Sequence, residues 1–371
     1  MKVFLQFEKK PLLFQDPKHI ISCCDPSLIR ACFQDMESAL SDGFYLAGFL
    51  SYEAGYSFEE KLRDNKIRDF PLIHMGVYVA PHNKNFPFKE RSVNNRLEGL
   101  RLNITPDDYA GKIQTIRDHI AKGDVYQITY CIKLLFRFQG DPFSLYSALL
   151  EEQPVPYPAY IETGLFHILS LSPEMFLKKN SGRIASKPMK GTWRRGRGPL
   201  EDFVERFRFQ VDPKNRAENV MNADLLRNDL GRIGENIRAP RLFEVARYRT
   251  LFQMTSTVTG RVEKGIPLYE IFASVFPSGS VTGTPKIRAM EIIKQLEAEE
   301  RHIYTGAIGY IAPSRDLFFN IPIRTLLIRG KDGEMGIGGG IVWDSTAEGE
   351  WSEGLLKARF VTTLADRLGP E

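Results

Sequence analysis

Three apolar runs near the C-terminus, 303–311, 317–327 and 335–342, are separated only by turn residues at 313–316 and 331–333. Links that short fold a strand back beside its predecessor and leave no room for a crossover helix, so the runs predict an antiparallel meander. Pro322 inside the middle run cannot donate to a ladder, which predicts an edge or a bulge there. Short runs also open the chain: 43–55 and 72–78 read as buried strands, and 26–41 as an amphipathic helix preceding them. Further strands are expected over 125–134 and 166–172. Longer helices stand apart from them, one from Thr105 to Gly123 with Tyr109, Ile113, Ile116 and Ile120 on one face, another over 216–233, and a last over 350–368. Many strands with segregated helices specify an α+β fold with antiparallel pairing.

At 371 residues the chain exceeds a usual single domain, and it divides into an N-terminal region, 1–95, and a larger region, 100–371, or forms one interwoven fold. The polar segment 81–96 reads as the link between them. A net charge of +4 gives no footprint for nucleic acid or a membrane surface, though it helps to attract an anion. Cys23, Cys24, Cys32 and Cys131 lack disulfide or zinc spacing, and charge at Glu8, Lys9 and Lys10 interrupts any signal-peptide core. A cytoplasmic protein is therefore expected. Gly336, Gly338, Gly339 and Gly340 mimic a dinucleotide loop, but Ile341 stands where its third glycine belongs.

The stretch 280–291, SVTGTPKIRAME, turns a glycine-containing loop into a helix start. Thr284 is expected to cap that helix with Pro285 at its first position, which aims free N–H groups and the Ser280 and Thr282 hydroxyls at an anion. A turn at 180–182 predicts a hairpin that brings Glu174 toward Lys190. Residues 193–209, with Arg194, Arg195 and Arg197, read as a solvated basic loop. Glu218 falls near the start of the 216–233 helix, where a glutamate ordinarily serves the helix dipole. Residues 241–261 look extended. In the last helix Glu353 and Lys357 stand one turn apart, with Leu356, Phe360 and Leu364 offered to the core.

The PMKGT run 188–192, the AEN run 217–219, the loop 280–291, the GGGIV run 338–342 and the EGLLKA run 353–358 resemble, in that order, the chorismate-utilising enzymes. Component I of anthranilate synthase and of aminodeoxychorismate synthase belong to that family. The likeness covers 105–371, and 48–53, GFLSYE, resembles the family's amino-terminal region. It implies a layered α/β sandwich with two large antiparallel sheets, as in anthranilate synthase component I.

The resemblance also implies roles. Glu218 and Glu353 match magnesium-binding glutamates, and Mg²⁺ favours hard oxygen ligands. Arg324 and Tyr304 match holders of a substrate carboxylate; Ser280, Thr282, Gly340 and Lys357 complete the lining. Glu174 matches the general acid. Lys190 matches the lysine by which aminodeoxychorismate synthases differ from anthranilate synthases, and implies a nucleophile. Gln127 stands where the isochorismate-forming branch carries a basic lysine, and Gln253 where many members carry histidine. Implied companions are chorismate, ammonia from a separate glutamine amidotransferase subunit, and a downstream aminodeoxychorismate lyase.

Overall fold

The computed structural model describes residues 1–82, 95–248 and 251–368. Most of the expected linker 81–96, and positions 249 and 250 of the expected extended stretch, lie outside these residues. The strands form two sheets of nine and ten strands, and every pairing described is antiparallel.

Side-chain alternation explains how the sheets stack. On strand Lys2–Phe7, Val3 and Leu5 point to one face and Phe4 to the other; on Tyr45–Leu50, Ala47 and Phe49 oppose Leu46 and Leu50. Val3 and Leu5 from the nine-stranded sheet share a core with Ala47 and Phe49 from the ten-stranded one. The two sheets therefore pack face to face. Their outer faces are covered by helices: Pro106–Ala121, Pro142–Glu152, Lys286–Leu296 and Ala347–Leu368 on the nine-stranded sheet, and Ile29–Ser41, Pro213–Gly231 and Leu268–Val275 on the other. This is the two-sheet sandwich that the resemblance implied. The N-terminal region feeds both sheets. Strands Lys2–Phe7 and Lys10–Phe14 end the first, and His19–Cys23, Tyr45–Leu50 and Ile73–Tyr78 end the second.

Several local expectations are corrected. The run 43–55 is strand only over Tyr45–Leu50 and then coils into a 3-10 helix, Tyr52–Ser57. The three-stranded meander is two hairpins in different sheets. Ala307–Ile311 and Leu317–Asn320 pair in the ten-stranded sheet, whereas Thr325–Arg329 and Asp332–Ile341 pair in the nine-stranded one. Pro322 marks neither edge nor bulge; it lies where the chain crosses between layers.

The supposed loop 193–209 is the end of strand Met189–Arg194 followed by helix Pro199–Val211. Pro199 opens that helix, Glu201 and Asp202 occupy its first turn, and both acids pair with the arginines before it, Arg194 and Arg195. The 216–233 helix begins earlier, at Pro213, because the Asp212 side chain accepts the Asn215 N–H at 2.8 Å. Glu218 thus sits in its second turn. In the last helix Ala358, Val361 and Leu364 face the core, while Leu356 is 55% exposed.

Candidate active site

Two crossings between the sheets lie side by side. One joins His167–Ser172 to Met175–Asn180 and carries Glu174; the other joins Leu317–Asn320 to Thr325–Arg329 and carries Arg324. They are stitched together by the Ser172 hydroxyl donating to the Ile321 carbonyl (2.6 Å), Ile321 N–H to the Glu174 carbonyl (3.1 Å), and Leu171 N–H to the Arg324 carbonyl (3.0 Å). Arg324 has φ of 52°, a left-handed conformation that an L-residue adopts at a cost. Beside the crossings opens a cavity of about 440 Å³. Every nominated side chain except Thr282 lines it, as does Gly340.

Glu174 is 3% exposed, and its Oε1 accepts from the Ser280 hydroxyl (2.7 Å) and the Met189 N–H (3.3 Å). Burial pushes its pKa up to about 7, against the pull of those two donors and of Lys190. The Ser280 hydroxyl of the loop 278–284 is therefore engaged by the protein's own Glu174 carboxyl, and the expected anion seat at the helix start is not formed. Pro285 takes the capping position without a side-chain hydrogen bond, Lys286 is the first helical residue, and Thr284 pairs with Gln127 in the sheet. Thr282 lies behind the wall, fully buried, its hydroxyl donating to the Ser278 carbonyl at 3.1 Å.

Lys190 reaches the cavity through a break in its strand. The register against Leu251–Arg261 shifts between Lys190 and Thr192, at Gly191 with φ of 78°. A Cβ at Gly191 would collide with Asn215 Oδ1, so the bulge requires glycine. Burial lowers the Lys190 pKa and the neighbouring Lys357 adds to the effect, while Glu218, Glu174 and Glu353 oppose it. An amine whose proton is held less tightly than an ordinary lysine's is a potential nucleophile. Gly340 lies opposite: a Cβ there would displace the Gln127 amide and come within 3.0 Å of Lys190 Nζ.

Arg324 is 8% exposed, and burial lowers its pKa; among the described residues the titratable groups acting on it are the phenols of Tyr248 and Tyr304, and no carboxylate pairs with it. Its Nη1 has no hydrogen-bond partner, and neither do Gln253 Oε1 and Thr129 Oγ1 in the same wall. A buried guanidinium without a carboxylate is costly alone and is compensated by a ligand that brings one. Tyr304 packs its ring where a side chain at Gly336 would otherwise stand, and burial keeps its phenol protonated.

On the remaining side, helix Pro213–Gly231 supplies Glu218 and helix Ala347–Leu368 supplies Glu350 and Glu353. Burial raises the pKa of Glu218 and Glu350, and the charge of Glu353 adds to it in both. Lys357 lowers that of Glu353, to which it is paired at 2.8 Å, and also donates to the Gly338 carbonyl at 2.7 Å. Glu218, Glu350 and Glu353 line one cavity together with Lys190, Lys214 and Lys357, and their carboxylates are the hard oxygen donors there of the kind a divalent cation takes. Glu350 and Lys214 were missed in the sequence. The Asp212-Pro213 helix start would have found Lys214, and Glu350 lies one turn before Glu353 on the same helix.

A family model for chorismate binding enzyme matches residues 15–363. The chain belongs to that family. Among curated relatives, Bacillus subtilis aminodeoxychorismate synthase component 1 is 37% identical over 69% of this chain and 55% of its own length. Aquifex aeolicus anthranilate synthase component 1 is 36% identical over 70% and 53%. The chain thus spans about half the length of these relatives. Among solved structures, anthranilate synthase component I from Streptococcus pneumoniae superposes with a TM-score of 0.82 at 24% identity, covering 97% of this chain and 92% of that one. A putative isochorismate synthase from Bacillus anthracis gives 0.80 at 18%, covering 99% and 96%. At these identities the structural likeness speaks for the fold of the chorismate binding family and no further.

Proposed function

We propose that the chain aminates chorismate at C4, as component I of an aminodeoxychorismate synthase, in the cytoplasm. The observation that carries this reading is Lys190: a half-buried lysine with a lowered pKa in the same cavity as a carboxyl whose pKa is near 7 and a guanidinium awaiting a carboxylate. Arg324, with Tyr304 beside it, holds one substrate carboxylate. The neutral Lys190 amine attacks C2, the ring diene shifts, and the C4–O bond breaks as Glu174 gives its proton to the departing hydroxyl, which leaves as water. Ammonia then forms the C4–N bond, the diene shifts back, and the C2–N bond to Lys190 breaks. Glu174, now a carboxylate, takes the proton that ammonia sheds. Glu218 and Glu353 would hold Mg²⁺, which would supply positive charge to offset that of the anionic substrate. A separate glutamine amidotransferase supplies the ammonia, and the aminated product passes to a lyase for 4-aminobenzoate and folate synthesis.

Incubation of the chain with chorismate, Mg²⁺ and ammonium tests this: 4-amino-4-deoxychorismate is expected by chromatography and mass spectrometry. Anthranilate as the product would sink the branch assignment. That second reading has support of its own, since curated relatives of both kinds match equally well.

Ser280 offers a quieter check. Its hydroxyl stabilises the Glu174 carboxylate, so Ser280→Ala raises the Glu174 pKa further and keeps the acid protonated to higher pH. The alkaline limb of the kcat/KM profile is expected to move up by about one pH unit. An unmoved limb would remove Glu174 from that ionisation.

A further inference from the structure

Helix Pro199–Val211 carries its apolar face outward. Phe209 and Glu205 are its buried residues, with Glu205 accepting from Trp193 Nε1 (2.7 Å) and Arg194 Nη2 (3.0 Å). At 100° per residue the opposite side is a stripe of Leu200, Phe203, Val204, Phe207 and Val211, which are 79, 68, 38, 59 and 45% exposed. Ordinary surface helices place such a stripe against their own core. An outward apolar face of this extent marks a contact with another molecule.

We infer that this stripe is the docking surface for the protein that delivers ammonia, a partner with an apolar patch rimmed by carboxylates; the inference rests on the amination reading above. Two observations choose this occupant. The helix runs straight into Asp212, Lys214 and Asn215, which line the catalytic cavity, and the strand before it carries Lys190 and Trp193, which line it too. A protein seated on the stripe is beside the cavity that consumes its product. Exposed Arg206 and Arg208 flank the stripe, with exposed Arg197 at its head; Arg208 shares the Glu205 carboxylate at 3.1 Å, while that carboxylate also serves Trp193 and Arg194, so the rim is basic. A second copy of this chain, the competing occupant, would bring like charges together across a two-fold contact, whereas an acidic rim is complementary.

The test compares the wild-type chain with Phe203→Ser/Phe207→Ser and with Arg206→Glu/Arg208→Glu. Each is titrated with the purified glutaminase subunit of the same organism, and turnover is driven either by glutamine or by ammonium. The expected result is ammonium-driven turnover unchanged in both variants. Affinity and glutamine-driven turnover should fall about 30-fold or more in the phenylalanine variant, with a smaller, salt-dependent loss in the arginine variant. Unchanged binding in the phenylalanine variant overturns the assignment, as does a wild-type chain that fails to bind. Self-association of the chain alone, abolished by the same substitutions, also overturns it and gives the stripe to a second copy. If ammonium drives no amination in the wild type, the functional reading fails while the titration still decides the docking surface.

Discussion

Replacing Lys190 with alanine is expected to lower ammonium-driven formation of aminodeoxychorismate by on the order of 10³-fold or more, because the step that expels the C4 hydroxyl loses its nucleophile. The loss should appear in kcat more than in KM, since Arg324 and Tyr304 still hold the substrate. Lys190→Arg should be equally inactive: a guanidinium does not give up its proton to become a nucleophile, whereas the surroundings of Lys190 make its amine easier to deprotonate. Intact-mass measurement gives an independent readout. With chorismate and Mg²⁺ but no ammonia, the wild-type chain should gain the mass of chorismate less one water, and the Lys190→Ala chain should gain nothing. Substantial amination by Lys190→Ala would show that the lysine contributes charge alone. Diversion of the variant to anthranilate would show that its amine directs attack away from C2.

Glu174→Gln is expected to cost about 10²- to 10⁴-fold in kcat, the usual range for a positioned acid. The amide is isosteric and retains an oxygen for the Ser280 hydroxyl and Met189 N–H, so the fold should survive. The sign of the pH dependence follows from the direction of the shift. Glu174 is the proton donor below its pKa of about 7 and loses that capacity above it, so wild-type activity should decline on the alkaline side. Lys190 attacks in its unprotonated form, and burial lowers its pKa from that of an ordinary lysine, so the limb that reports it is shifted toward acid. In the glutamine variant the alkaline limb attributable to the acid should vanish. A variant with full activity and an unchanged profile would assign the proton to another donor.

Local signals in the chain were reliable where one element decides its own boundaries. Thr105 caps its helix through the Asp108 N–H, and the strand–turn alternation yields antiparallel pairing. The misreadings share a physical cause. Residues 317–327 look like one strand because apolar residues continue on both sides of Pro322, and nothing in that run records that its halves belong to opposite layers. Residues 193–209 look like a solvated loop because the stripe of helix Pro199–Val211 alternates with charge, and those charges are used internally, on Trp193, Arg194 and Arg195.

The nominated site residues were legible as residue types in family motifs, and the sequence by itself determined the antiparallel α+β class, the carboxylate, lysine and arginine inventory, and the glycines that let backbone come close. It did not determine proximity. Glu174 and Arg324 line one cavity because two chain crossings between the sheets are hydrogen-bonded side by side, and Lys190 joins them because a bulge at Gly191 turns it off its strand. Proximity in turn creates the chemistry: desolvation in a shared cavity raises the acid and lowers the amine, an effect of surroundings contributed by segments more than a hundred residues apart. Only the tertiary structure can supply that, since a pKa shift belongs to an environment and not to a residue.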